Sequence, residues 1–338
     1  MIFFYGLSIF ILIGSLIPAK KQGFYIFLVF IILFLTSAFR GVSVGTDTIN
    51  YELTFNSLSN GIDWVRGELE PGWIFLNDVV IFFNGDFHDL LLLSSLLTLV
   101  PVFYSSIKYS YNPILSLVFY YLLYFYFYSF NITRQSIAIS FILLAWCLLL
   151  KDSRKLFLFF VVIASFFHFS ALICLPMLFL NKMNFSKFNM QLIVLCSMVV
   201  GLFGVEYILY FVTLTSYSEY IYEYQIGNFI GNAFILLVYN FIFFIVLFSM
   251  RDQNINLKIF FIFIVLLNLM VRFPFGNRIL MYFSIYQIIF YPYFISQLKF
   301  ISVDFRIACY IFFILCAYFI FMINIGSGGI FPYTNILL

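Results

Sequence analysis

Apolar runs near bilayer-spanning length recur along almost the whole chain, and few folds can accommodate them. Candidate helices cover residues 2–17, 22–38, 88–107, 113–130, 132–150, 190–211, 232–249, 257–273, 278–297 and 305–325. Crossing the hydrocarbon core takes about 20 predominantly apolar residues. In lipid every backbone polar group must be satisfied internally, which leaves helices or closed barrels. Only 9% of the residues are charged, where an ordinary soluble domain carries about 25%. The expectation is an all-α, polytopic integral membrane protein with about 10–12 transmembrane helices, forming a single domain over 1–338. The chain is apolar from residue 2 and shows no small-residue cleavage site, so residues 2–17 read as a retained helix.

Two segments are ambiguous. Residues 72–84 are short and carry Asn77 and Asp78, and residues 156–180 are interrupted by Ser165, His168 and Ser170. The tendency of Lys and Arg to stay on the cytoplasmic side arbitrates between topologies. If 72–84 re-enters and 156–180 is a hairpin with its tip outward, ten helices span, both termini lie outside and all nine lysines face the cytoplasm. The rival topology treats both segments as single spans and places the Lys151–Lys155 cluster outside. The first arrangement puts two polar loops outside, about 39–71 and 213–231, and makes the Gly326–Tyr333 tail a flexible outer segment.

In that arrangement five basic residues stand against the rule: Arg40, Arg66, Arg134, Arg272 and Arg278, all arginine. The planar guanidinium matches phosphate oxygens and keeps its charge beside apolar surfaces. Their gathering at one face points to an anionic, phosphate-bearing, lipid-linked ligand; the plainer alternative pairs each with a nearby acid or headgroup. His168 shares that level, and its titration range suits proton transfer or hydrogen bonding to phosphate. Asp47, in Gly45-Thr46-Asp47-Thr48, is a second catalytic candidate, although such an Asp also stabilises turns. Glu70, before Pro71-Gly72-Trp73, is a ligand-binding candidate or a helix cap, and Tyr51 belongs to the same outer stretch.

Other chemistries lack support. There is no phosphate-cradling glycine-rich loop, no nucleophile elbow and no basic face for nucleic acid. Asp86-Phe87-His88-Asp89 reads as a helix-start turn with Asp86 as N-cap, not as a metal site. The five cysteines lie in apolar segments without ligand spacing and read as packing residues. No metal and no cofactor is expected.

The outer-face residues fall in stretches that resemble the EpsG family of bacterial membrane proteins, relatives of the O-antigen polymerase (Wzy) group. These stretches are Arg40…Gly45-Thr46-Asp47…Tyr51, Glu70-Pro71-Gly72-Trp73, Asn131-Ile132-Thr133-Arg134-Gln135-Ser136-Ile137-Ala138, Ala164-Ser165-Phe166-Phe167-His168-Phe169-Ser170 and Asn277-Arg278-Ile279…Tyr282-Phe283, with Pro332-Tyr333 at the end. The resemblance implies a glycosyltransferase-C-like fold. It also implies polymerisation of surface polysaccharide at the periplasmic face of the inner membrane. Glycan would pass from undecaprenyl pyrophosphate to the non-reducing end of a lipid-linked unit, with a chain-length regulator and a flippase as partners. On this reading Arg134, Arg278, Arg40 and Arg272 hold the pyrophosphate, and His168 or Asp47 serves the acceptor hydroxyl. A flippase of lipid-linked oligosaccharide, an O-antigen ligase and an O-acetyltransferase are the rival readings. A flippase would more often show repeat symmetry and polar residues at mid-membrane.

Overall fold

The computed structural model describes residues 1–18, 21–204, 210, 229–250, 253–273, 276–298 and 303–336. Most of the expected 213–231 loop lies outside the described residues. Among those described, the architecture is all-helical: α1 (Ile2–Gly14), α2 (Gly23–Ala38), α3 (Thr48–Ser59), α4 (Pro71–Phe82), α5 (Phe87–Tyr109), α6 (Pro113–Leu122), α7 (Phe125–Tyr128) and α8 (Thr133–Leu149). There follow α9 (Arg154–Phe167), α10 (Lys187–Val199), α11 (Phe229–Ser249), α12 (Ile255–Met270), α13 (Gly276–Ser284), α14 (Gln287–Gln297) and α15 (Val303–Asn324). Two described segments, Phe87–Tyr109 and Lys187–Gly204, are each long and apolar enough to cross a bilayer, and the α13–α14 pair, bent by 44°, makes a third. The other apolar helices are shorter, partly because expected spans are broken. Residues 113–130 divide at Tyr124, whose φ of 71° ends α6 and starts α7.

Contacts between turns sort the bundle into two faces. Gln22 reaches Asn112 at 3.4 Å, and the rings of Tyr111 and Tyr293 lie 5.8 Å apart. Asn254 donates to the Tyr293 hydroxyl at 2.5 Å, and Lys187 donates to the Met250 carbonyl at 2.7 Å. These turns carry or adjoin Lys21, Lys108 and Lys187, so the lysine-bearing turns meet at one end, as the charge pattern required. Arg40, Thr46, Glu70, Arg134 and His168 meet at the other end.

The segment 156–180 is a hairpin, and 72–84 holds one short helix. Helix α9 rises from Arg154, ends at His168, and a 3-10 helix over Phe169–Lys182 descends. Asn181 then donates to Asp152 at 3.1 Å, so the two feet of the hairpin stand together. The tip is His168, whose extended backbone (φ −160°) breaks the helix. Helix α4 has 12 residues, about 18 Å at 1.5 Å per residue, against a core of about 30 Å. It turns at Asn84 (φ 56°) into α5 and packs Trp73, Leu76 and Val80 on Phe87, Leu90 and Leu91. Asp86 starts α5 as expected: its side chain accepts from His88 and Asp89 backbone N–H groups at 2.8 and 3.2 Å.

The expected flexible tail is instead docked. Gly45 N–H donates to the Gly329 carbonyl at 3.0 Å, Gly41 N–H to Thr334 at 2.9 Å and Ile336 N–H to Phe39 at 3.1 Å. The Tyr333 hydroxyl donates to Thr36 at 2.7 Å. These bonds satisfy backbone groups that the irregular 39–45 loop cannot satisfy alone. Gly45 is required here: its φ is +95°, and a Cβ would stand 2.6 Å from the Phe130 carbonyl oxygen.

Candidate functional site

Three segments far apart in sequence deliver one ion cluster. Glu70 ends the loop before α4, where Pro71 occupies the first helical turn and needs no N–H partner. Arg134 lies in the first turn of α8, and His168 is the tip of the hairpin. Glu70 sits at the N-cap position, yet its side chain makes no capping bond. One carboxylate oxygen instead accepts from the Arg134 guanidinium, and the other is 2.6 Å from His168 Nδ1.

Glu70 is nearly buried, with a side chain 8% exposed, whereas Arg134 and His168 are 27% and 25% exposed. A carboxylate removed from water needs such partners. Burial raises its pKa, but the His168 hydrogen bond and the Arg134 charge outweigh it and hold the group below its ordinary value of 4.5. The Arg134 guanidinium lies 6.0 Å from the centroid of the Tyr51 ring, and Tyr51 leans on Trp73 at 5.3 Å. Burial pushes the Tyr51 phenol up, against the pull of Arg134.

A second layer steadies the cluster. Gln135, next to Arg134, donates to the Arg278 carbonyl at 2.6 Å and brings α13 against the start of α8. Ser170, two residues past His168, is 2.9 Å from the Tyr282 hydroxyl, and Trp146 donates to the Tyr282 carbonyl at 2.9 Å. Arg278 itself is exposed at this rim. Gln135, Ser170 and Tyr282 were not among the expected site residues, although each lies in a stretch that carried the family resemblance. Asn131, from the same stretch, accepts from Thr46 N–H and Oγ1 at 2.5 and 2.9 Å, tying the 41–48 loop to the start of α8.

The remaining candidates are distributed. The carboxylate in contact with His168 is Glu70; Asp47 stands at the start of α3, one turn before Tyr51, and accepts from Thr46 Oγ1 at 3.1 Å. Arg40 is buried beneath the docked tail. It donates to the Ser37 carbonyl at 2.7 Å and lies 5.0 Å from the Phe130 ring centroid. Burial brings its pKa down to about 10, so it remains a cation at neutral pH. Arg272 donates to the Leu202 carbonyl beyond α10. Arg66 forms a two-pronged, half-exposed pair with Asp78 at 2.9 and 2.8 Å. Among the described residues no three His, Cys, Asp or Glu side chains converge.

The EpsG family model matches residues 23–335, a range that contains every site residue above. The chain belongs to the EpsG family. This places it among membrane proteins of polysaccharide biosynthesis, with a glycosyltransferase-like role. No curated protein and no solved structure matches this EpsG chain.

Proposed function

We propose that the chain is a polysaccharide repeat-unit polymerase. It transfers glycan from undecaprenyl pyrophosphate to the non-reducing end of a lipid-linked oligosaccharide, at the periplasmic face of the bacterial inner membrane. The observation that carries this reading is the single buried Glu70 carboxylate shared by Arg134 and His168.

Glu70 accepts the proton-bearing Nδ1 of His168, which leaves Nε2 as the basic nitrogen. His168 Nε2 takes the proton of the acceptor hydroxyl. That oxygen bonds to the anomeric carbon of the donor, and the bond from this carbon to the pyrophosphate oxygen breaks. The electron pair leaves with pyrophosphate, and direct displacement inverts the anomeric centre. Charge developing on the leaving group is met by Arg134, which Glu70 holds in place, and by Arg278, exposed at the rim. Glu70 keeps His168 oriented and stabilises the imidazolium that forms.

The test is a deletion strain complemented with wild type or Arg134→Ala, with surface glycan resolved by size. The expected result is a ladder with wild type and a single repeat unit with the variant, both proteins being present in the membrane. An unchanged ladder would overturn the reading. Loss of even the single unit would point to flipping or unit assembly instead.

A further inference from the structure

We propose that the groove between α4 and the end of α9 holds the polyisoprenoid chain of the pyrophosphate-linked donor, which reaches the site sideways from the bilayer between these two helices. The inference rests on the polymerase reading above.

Pro71, Gly72 and Phe75 of α4 face Ile163, Phe166 and Phe167 of α9 across a cavity of about 360 Å³. That volume lies in the usual range for small-molecule sites, roughly 300–1,000 Å³. Every lining side chain is apolar, and Phe75 and Phe166 are 67% and 49% exposed. The floor is backbone against backbone: a Cβ on Gly72 would stand 2.8 Å from the Phe166 carbonyl oxygen. With no side chain at Gly72 the two helices touch there and the space above them stays open.

Two lining residues are covalent neighbours of the ion cluster. Pro71 follows Glu70 and Phe167 precedes His168, each about 3.8 Å away between Cα atoms. The apolar groove therefore lies one residue along the chain from two members of the Arg134–Glu70–His168 cluster, none of which lines it. The ligand that satisfies both parts is one hydrocarbon chain joined to an anionic phosphate head. A soluble sugar phosphate would leave the groove unused. Of the lipids that join hydrocarbon to phosphate, the isoprenoid carrier is the one that the proposed reaction brings to this cluster, and a phospholipid is the competing occupant that the labelling test separates.

The experiment uses the full chain in nanodiscs of phosphatidylglycerol with added undecaprenyl pyrophosphate. The photoreactive residue p-benzoylphenylalanine replaces Phe75 or, as control, Phe82, which is 79% exposed on the same helix but does not line the groove. The expected result is a saturable undecaprenyl adduct at position 75, about tenfold above that at position 82, which corresponds to about 1.4 kcal/mol of preference. Equal labelling at the two positions, or phosphatidylglycerol adducts alone at position 75, overturns the proposal. The adduct is read without reference to polymer. If Arg134→Ala abolishes the ladder while position 75 captures no undecaprenyl, the groove assignment fails and the polymerase reading stands. If Arg134→Ala leaves the ladder intact, the polymerase reading fails, and the adduct still decides whether the groove holds this lipid.

Discussion

Two tight polar clusters among the described residues differ in kind. In the first, Asn240 and Asn268 exchange side-chain hydrogen bonds at 2.7 and 3.0 Å, and Asn268 also donates to Ser197 at 2.9 Å and to the Val194 carbonyl at 3.1 Å. All three side chains are buried and neutral, and they join α10, α11 and α12. In the second, Glu70 is buried but its two partners, Arg134 and His168, are each about a quarter exposed. The asparagine cluster is closed and serves to hold helices together, as polar groups between membrane helices commonly do. The Glu70 cluster spends its buried carboxylate on fixing two groups that still face outward. Strong internal pairing alone is therefore a poor guide to function; what separates the clusters is whether the partners retain accessible surface.

The largest effect should come from the open cluster. His168→Ala should lower polymer formation per membrane-inserted molecule by about 10²–10⁴-fold, the usual worth of a positioned acid–base group. Radiolabelled repeat-unit incorporation would measure it. Retention of wild-type rate would make the two clusters alike. The closed cluster should respond in the opposite sense. Asn268→Ala should cost about 1–2 kcal/mol of stability in thermal unfolding of detergent-solubilised protein, with turnover per folded molecule unchanged.

A smaller effect distinguishes charged from neutral polarity. Because the folded pKa of Glu70 is held below its ordinary value of 4.5, its contribution to stability is complete above that value. That contribution is lost as the pH falls through the lowered folded value. Unfolding measured against pH should show this acid limb, Glu70→Gln should remove it, and Asn268→Ala should leave it in place. The smallest effect belongs to the half-exposed Arg66–Asp78 pair. Arg66→Ala should change stability by only about 0.2–1 kcal/mol and leave the polymer ladder as in wild type. A lost ladder would extend the open cluster to this arginine.

Much of the bundle could be read from sequence because apolar runs and lysine placement obey bulk constraints. The turns at Lys21, Lys108 and Lys187 do converge, and residues 156–180 do double back. Helix α3 was not foreseen, since Thr48–Ser59 is rich in Thr, Asn and Ser, which have weak helix propensity. Glu70, Arg134 and His168 could each be singled out as polar groups in costly surroundings. Their mutual pairing could not, because 64 and 98 residues separate Glu70 from its partners. Arg40 looked like its fellow arginines in sequence; only the docked tail reveals that it is enclosed. Gln135, Ser170 and Tyr282 are uncharged and common in such a chain, so nothing in composition marked them.

The docked tail has a consequence in time. Ser43 meets Thr334 across a sequence separation of 291 residues, and contacts of such range form late because the intervening chain must first be ordered. The loop that carries Arg40 and adjoins Asp47 and Tyr51 can therefore reach its final shape only after the helices between have assembled. The outer loop is thus completed by the far end of the chain, and its shape depends on residues that come last in the sequence.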